Sequence, residues 1–475
     1  MYKAVIGLEV HCELKTNTKN FSSAANTYSE IPNTNLATVD LGLPGILPVI
    51  NENGIKQSLK MALAMYCETP EYITFERKNY FYPDLPKGYQ ITQFNHPVGI
   101  NGYVMIHVNG EDKKVLIHDT HLEEDTASLD HYGNYSLIDY NRAGVPLLET
   151  VTEPCMHSAE EAIAFLEALR SIFLYCGASE ARTDRGQMRC DVNVSLMEED
   201  ATELGTKVEI KNVNSFNNVK DAIISEIKRQ TEILETGGTI AQETRRYDEN
   251  NMCTYSMRSK EDAVDYKYFT EPNIPPIKLE STWLEEIKKE IPALQYERIQ
   301  TYMNEFGLSR YDATILVKEK EMAEYFEEAL KEGADPKSAS NWITSVILGH
   351  MNKYEIPITK LFLTPKMLVE LIELVTSGKI SSKQAKEVLL KSLEEEKSPA
   401  SLVEELGIEQ IGTDDEILAI VTEVFSEHPE AKEQYQAGRT NIVDFLVGQV
   451  MKKTKGQANP ATTRKLVQEE IMKGE

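Results

Sequence analysis

Tyr2-Lys-Ala-Val-Ile-Gly-Leu-Glu-Val-His-Cys-Glu-Leu14 opens the chain with a strict alternation. Ala4, Ile6, Leu8, Val10, Cys12 and Leu14 are apolar at every second position, so an extended chain gathers them on one face. The opposite face then carries Gly7, Glu9, His11 and Glu13. A strand of this kind sets carboxylates on either side of an imidazole, beside a glycine that leaves room for a ligand. Taken alone, such a face is the ordinary solvated side of a half-buried sheet.

The pattern recurs further along. Cys190, Val192, Val194 and Leu196 alternate with Asp191, Asn193 and Ser195, and Val208 and Ile210 alternate with Lys207, Glu209 and Lys211. His121-Leu-Glu-Glu-Asp125 packs four ionisable groups into five positions, and Leu147-Leu-Glu149 places an acid directly after an apolar strand start. The expected sheet has one apolar face and one face of carboxylates, histidine and lysines. Acids converging on one surface repel one another unless a cation lies among them. Oxygen donors with a single imidazole suit Mg²⁺ or Mn²⁺ better than zinc, which favours Cys and His. Mg²⁺ in turn points to a phosphorylated ligand, yet the chain has no G-x-x-x-x-G-K-[ST] and no G-x-G-x-x-G. Any nucleotide is therefore held in another way.

Phe75-Glu-Arg-Lys-Asn-Tyr-Phe-Tyr-Pro-Asp84 mixes Arg77 and Lys78 with four aromatic rings. Such a mixture can grip phosphates and stack a base, or it can be aromatic core. Thr244-Arg-Arg-Tyr-Asp248 and Tyr255-Ser-Met-Arg-Ser-Lys260 are further basic segments, suited to phosphates or to neighbouring acids.

The texture changes near residue 280. Before it, short β-type runs are punctuated by Asn101-Gly102, Asn109-Gly110 and Tyr132-Gly-Asn134, which read as turns. Two helices interrupt them: one capped by Ser158-Ala-Glu-Glu161 and carried by Ala162, Leu166, Leu169, Ile172 and Phe173, the other over about 222–234. After Ser281 the pattern is helical. Lys391-Ser-Leu-Glu-Glu-Glu-Lys-Ser-Pro-Ala400 reads as a loop or linker. Beyond it the charge is asymmetric: residues 402–431 hold nine acids and no Lys or Arg, whereas 432–465 hold seven bases and two acids. The expected fold class is α+β, with a β-rich domain over 1–290, a helical domain over 291–398 and a small helical domain over 399–475.

With 475 residues, the chain is long enough for several domains with sizeable cores. Its 76 acidic against 50 basic residues give a net charge of −26, which excludes generic coating of nucleic acid unless basic groups are concentrated locally. Leu41 to Ile50 is the conspicuous apolar run, but Gly42, Pro44, Gly45 and Pro48 break it, and it falls short of the ~18 residues of a membrane span. Six scattered cysteines form no C-x-x-C pair, so neither structural zinc nor a disulfide framework is expected. No charged segment leads to a cleavage site at the start. A cytoplasmic protein, away from membranes, is the expectation.

Several of these segments resemble the GatB family, the B subunits of the tRNA-dependent aspartyl/glutamyl-tRNA amidotransferase. They are Val5-Ile-Gly-Leu-Glu-Val-His11, Arg77-Lys-Asn-Tyr-Phe-Tyr-Pro-Asp84, His121-Leu-Glu-Glu-Asp125, Arg189-Cys-Asp-Val-Asn-Val-Ser195, Glu243-Thr-Arg-Arg-Tyr247 and Asp265-Tyr-Lys-Tyr-Phe269. The long, irregular string Asp139-Tyr-Asn-Arg-Ala-Gly-Val-Pro-Leu-Leu-Glu149 is the most specific. Phe445 to Pro460 looks like the family's YqeY-like tail, so the resemblance covers essentially the whole chain.

The resemblance implies a β-rich cradle domain with a kinase-like site, then a helical domain and a tail that hold tRNA. It implies ATP and Mg²⁺ as cofactors. The side-chain carboxylate of mischarged Glu-tRNA(Gln), Asp-tRNA(Asn) or both is phosphorylated and then amidated with ammonia. An amidase-type A subunit supplies that ammonia, and a small C subunit completes a heterotrimer. This chain lacks the Gly/Ser-rich nucleophile segment of such an amidase. Under this reading Glu9, His11, Glu124 and Glu149 are the metal ligands and catalytic residues, with Glu123 and Asp191 next. Strand register decides between Glu123 and Glu124. Arg77 and Lys78 are the phosphate contacts, and Lys452, Lys453 and Lys455 the tRNA-backbone grip, unless they pair with the acidic segment before them. Two competing readings are a non-catalytic tRNA-holding scaffold and a Mg²⁺-dependent ligase for a small carboxylic acid. Neither accounts for the 141–149 string, and the second leaves the basic tail without a purpose.

Overall fold

The computed structural model describes residues 2–213, 215–259, 265–407, 414–436, 438–454, 458 and 460–473. The chain begins with β1 (Tyr2–Glu13), α1 (Glu52–Ala64), β2 (Tyr72–Ile73), β3 (Glu76–Asn79) and β4 (Tyr89–Thr92). β5 (Gly99–Val108), β6 (Glu111–Glu124), β7 (Ser128–Tyr132), β8 (Tyr135–Asp139) and β9 (Pro146–Thr152) follow. Next come α2 (Ala159–Cys176), β10 (Met188–Glu198), β11 (Val208–Val213) and α3 (Phe216–Glu235). β12 (Glu243–Asp248), β13 (Cys253–Ser259), β14 (Phe269–Thr270) and β15 (Ile277–Lys278) complete the strands. From Ser281 onward the described elements are helices. The α+β expectation holds.

Eight strands form the main sheet in the order β13-β12-β11-β10-β1-β9-β6-β5. β1 lies inside it, antiparallel to both β10 and β9. Ile6, Leu8, Val10 and Cys12 are almost wholly buried and share one core with Leu59 of α1, Leu166 and Phe173 of α2 and Ile223 of α3. Each such side chain contributes about 1.5–3 kcal/mol by leaving water. Because the helices cover that face, the alternating residues of β1 are directed to the other.

Local signals account for most boundaries. Ser158 Oγ accepts from the Glu161 N–H and starts α2, while the Glu161 carboxylate accepts from His157 N–H rather than closing a full capping box. α3 begins earlier than the apolar periodicity suggests, because Ser215 caps it by accepting from Asn218 N–H. Asn109 and Gly110 both have positive φ, as a two-residue turn between β5 and β6 requires. Asn101-Gly102 is no turn but a kink within β5. Gly102 is needed there because a Cβ would lie 2.4 Å from Cys67 Sγ.

Three cores are distinct. The first runs from Ala4 to Leu294, the second from Ile299 to Val403 and the third from Ile417 to Ile471. The chain divides into compact units at 1–297 and 298–475, so Leu294 belongs with the sheet rather than with the helices. The stretch 391–400, expected as a linker, is largely helix: one helix ends at Glu395 and the next starts at Pro399, whose missing N–H costs nothing in a first turn. Leu402 and Val403 therefore pack into the middle core. No helix among the described residues is long and apolar enough to cross a membrane, and all six cysteines are free thiols.

Candidate active site

β1, β9 and β6 lie side by side, and their registers set His11 opposite Glu149 and Glu149 opposite His121. Glu123 follows two residues after His121 and shares its face. His11 Nε2 lies 3.2 Å from Glu149 Oε2 and 3.9 Å from Glu123 Oε1. His121 Nε2 is 3.1 Å from the same Glu149 oxygen, and its Nδ1 is 2.7 Å from Asp119 Oδ1. One donor atom each from His11, Glu123 and Glu149 falls within 4.8 Å of the others.

The electrostatics follow from this crowding. Burial alone would raise the Glu149 carboxyl, but His11 and His121 outweigh it and hold Glu149 well below the usual range. Burial would lower the His11 imidazole, yet Glu149 above all pushes it up to about 9. Glu123 is raised, first by burial and then by repulsion from Glu149, with His11, His121 and Lys78 opposing. The cluster thus balances its own charge with protonated rings. One imidazole nitrogen and two carboxylate oxygens would fit Mg²⁺ or Mn²⁺, with the imidazole in its neutral form.

The expected ligand set divides in two. Glu9 lies two residues before His11 on β1, about 6.8 Å away. It faces Asp191 across the ladder and groups with Asp191 and Glu209, again within 4.8 Å. Asn193 Nδ2 donates to Glu9 Oε1 at 3.0 Å. Lys211 Nζ is 2.7 Å from Asp191 Oδ2 and 3.0 Å from Glu209 Oε1, so one lysine partly offsets the charge of this second cluster.

Glu124 is not in either group. Its carboxylate accepts from Lys87 Nζ at 2.6 and 2.5 Å and from Ile91 N–H at 2.9 Å. Neighbouring strand residues face opposite ways, and the pairing of His121 with Glu149 gives the inward side to Glu123. Lys78 stands beside the first cluster. Burial would lower its ammonium, but Glu123 foremost and Glu149 raise it, and it lies 5.0 Å from the Tyr266 ring centroid. Arg77 faces elsewhere: its Nε donates to Glu271 at 2.5 Å, and its guanidinium lies 4.0 Å over Tyr89. Arg77 is thus engaged by Glu271 and Tyr89, unlike Lys78, which adjoins the cluster.

In the tail, Lys452 is exposed. Lys453 Nζ instead bridges Glu423 at 2.8 Å and Glu427 at 2.6 Å, the intramolecular alternative for that residue. Lys455 lies outside the described residues, as does Lys260.

His121, quoted within the 121–125 run, was given no role by sequence reasoning, and Asp119 was not singled out. The signal was present: His121, Glu123 and Asp119 share strand parity. The 141–149 string is mostly scaffold. Asn141 Oδ1 accepts from Thr34 and Asn35 N–H groups at 2.8 Å, and Arg142 Nε donates to the Thr126 carbonyl at 2.9 Å. Gly144 has φ +85° and leaves no room for a Cβ beside Asp40. Within the string, Glu149 is the member that reaches the cluster.

Residues 4–285 match the model of the GatB/GatE catalytic domain, and residues 324–471 match that of the GatB domain. The B subunit of the aspartyl/glutamyl-tRNA(Asn/Gln) amidotransferase of Oceanobacillus iheyensis is 46% identical over 471 residues, covering 99% of each chain. The protein of the same name from Persephonella marina is 46% identical over 469 residues, covering 98% of this chain and 99% of its own. By sequence match over both halves, the chain belongs to the GatB/GatE family.

Proposed function

We propose that this chain is the B subunit of a cytoplasmic tRNA-dependent amidotransferase and carries its ATP- and Mg²⁺-dependent activation site. The supporting observation is the cluster of His11, Glu123 and Glu149 with Lys78 beside it, which joins a divalent-cation donor set to a cationic side chain. The substrate is the side-chain carboxylate of Glu-tRNA(Gln), Asp-tRNA(Asn) or both. One carboxylate oxygen attacks the γ-phosphorus of ATP, and ADP leaves. Ammonia then attacks the acyl carbon of the resulting acyl phosphate, and inorganic phosphate departs with a proton as the amide forms.

Activation is needed because a carboxylate has no good leaving group, and phosphate supplies one. Bound Mg²⁺ supplies neutralisation of charge on the phosphoryl oxygens. His11, Glu123 and Glu149 would hold the ion, and the Lys78 ammonium would be available to a phosphoryl oxygen. Ammonia comes from an amidase-type A subunit, with a small C subunit completing the heterotrimer. The test is nitrogen-source replacement in the assembled complex. Ammonium should replace glutamine while ATP and charged tRNA remain obligatory, with one ADP released per amide. Amidation from ammonium without ATP would refute the activation step.

A further inference from the structure

Asp119 makes the contact that the proposed chemistry leaves unused. The β6–β9 ladder advances two residues on β6 for one on β9 between Ile117 and Asp119, with Ile117 opposite Thr152 and Asp119 opposite Val151. His118 is the extra residue. A bulge of this kind re-aims the side chains next to it. After it, Asp119, His121 and Glu123 follow at two-residue steps along one strand. The result is a continuous chain of polar contacts: Asp119 Oδ1 to His121 Nδ1 at 2.7 Å, His121 Nε2 to Glu149 Oε2 at 3.1 Å, and Glu149 Oε2 to His11 Nε2 at 3.2 Å.

Two imidazoles therefore compete for one oxygen of Glu149. His11 cannot keep its hydrogen bond to Glu149 and at the same time ligate a cation through the same Nε2. With His11 turned to a cation, His121 would be the imidazole left to hold Glu149 Oε2. His121 can do this only if its ring is held, and Asp119 holds it from the far nitrogen. Partners behind a ligating carboxylate or imidazole typically alter metal affinity by about 10–100-fold.

We propose that Asp119 is a positioning residue that, through His121, orients Glu149 for cation binding. The proposal rests on the cation reading of the cluster. A structural alternative is that Asp119 only pairs with the exposed His118, whose Nε2 lies 3.9 Å from Asp119 Oδ2 and whose Nδ1 lies 2.8 Å from Glu153.

The test uses the full chain and Mn²⁺ alone, with free Mn²⁺ read by electron paramagnetic resonance and folding checked by thermal melting. Asp119→Ala should weaken Mn²⁺ binding about tenfold or more at an unchanged melting temperature. Asp119→Asn, which keeps an acceptor for His121 Nδ1, should recover much of the loss, and His118→Ala should leave the affinity unchanged. Mn²⁺ affinity of Asp119→Ala within about twofold of the parent overturns the proposal, as does an equal loss in His118→Ala. If Asp119→Ala does not fold, His121→Gln decides by the same criterion. A parent chain that takes up no Mn²⁺ overturns the cation reading itself. Mn²⁺ bound equally by parent and Asp119→Ala overturns only the role of Asp119.

Discussion

His11 and Glu9 occupy the same face of the same strand two residues apart, yet their surroundings resolve acid crowding in different ways. Around His11, the charges of Glu123 and Glu149 are met by imidazoles. Around Glu9, the charges of Asp191 and Glu209 are met by Lys211. An imidazole can give up its proton and become a ligand, whereas a lysine ammonium offers donors and no lone pair. In the first arrangement a protonated ring could give way to a metal ion, whereas in the second a lysine stays among the carboxylates. Glu13, the next position on that face, shows a third solution. Its carboxyl is pushed up to about 7, by burial first and then by Asp125, although Arg189 and Arg142 oppose. It holds its proton to a higher pH than an ordinary glutamate.

The change that would most disturb this contrast is at Glu149. Glu149→Gln keeps the shape but removes the charge that both histidines face, so ATP-dependent amidation in the complex should fall by roughly 10³-fold, the equivalent of several kcal/mol of lost charge stabilisation. Amidation within tenfold of the parent would place the cation elsewhere.

Opening the second cluster should convert it into the likeness of the first. Lys211→Met leaves Glu9, Asp191 and Glu209 without their cation, so the full chain should melt at lower temperature in chelator and regain the loss with Mn²⁺. Equilibrium dialysis should then find one more bound Mn²⁺ per chain than in the parent. An unchanged stoichiometry would show that the geometry of the second cluster, and not its lysine, excludes an ion.

The third solution has a definite pH signature. An acid whose folded pKa is raised above its unfolded value near 4.3 costs stability as pH climbs from there to about 7, because only the unfolded state ionises freely. Glu13→Gln mimics the protonated form. Its melting temperature should match the parent near pH 4, exceed it by a growing margin up to pH 7 and hold that margin above. A constant difference across the range would mean that Glu13 is ionised in the folded protein.

A milder effect carries the comparison of cations into the tail. Lys452 and Lys453 are both exposed, but Lys453 is paired with Glu423 and Glu427. Lys452→Ala should raise the KM for tRNA about two- to fivefold and reduce the salt slope by roughly one, as loss of a single phosphate contact does. Lys453→Ala should shift neither by as much. Equal effects would indicate that the Glu423–Lys453–Glu427 bridge opens when tRNA binds.

Much of this architecture was legible because it is written in short-range terms. The alternation over 2–14, the serine cap at 158 and the positive-φ pair Asn109-Gly110 each act within a few residues, where local sterics and hydrogen bonds decide. The residue types of the site were equally plain, since His11 and Glu149 stand on strands whose buried faces are unmistakable. What neighbours what was not. Glu123 and Glu124 are equivalent until β6 pairs with β9, and Glu9 and His11 form one set until β10 and β11 arrive with Asp191, Glu209 and Lys211. Likewise, the charge count of the tail gave Lys452 and Lys453 the same standing, and helix packing alone brought Glu423 and Glu427 to one of them. The order of residues was enough to set the class of elements, the apolar face of each and the stock of ligating groups. Their partners were chosen by packing, because strand register and side-chain pairing depend on contacts between segments well separated along the chain, and a one-residue shift would reverse every side chain on the face.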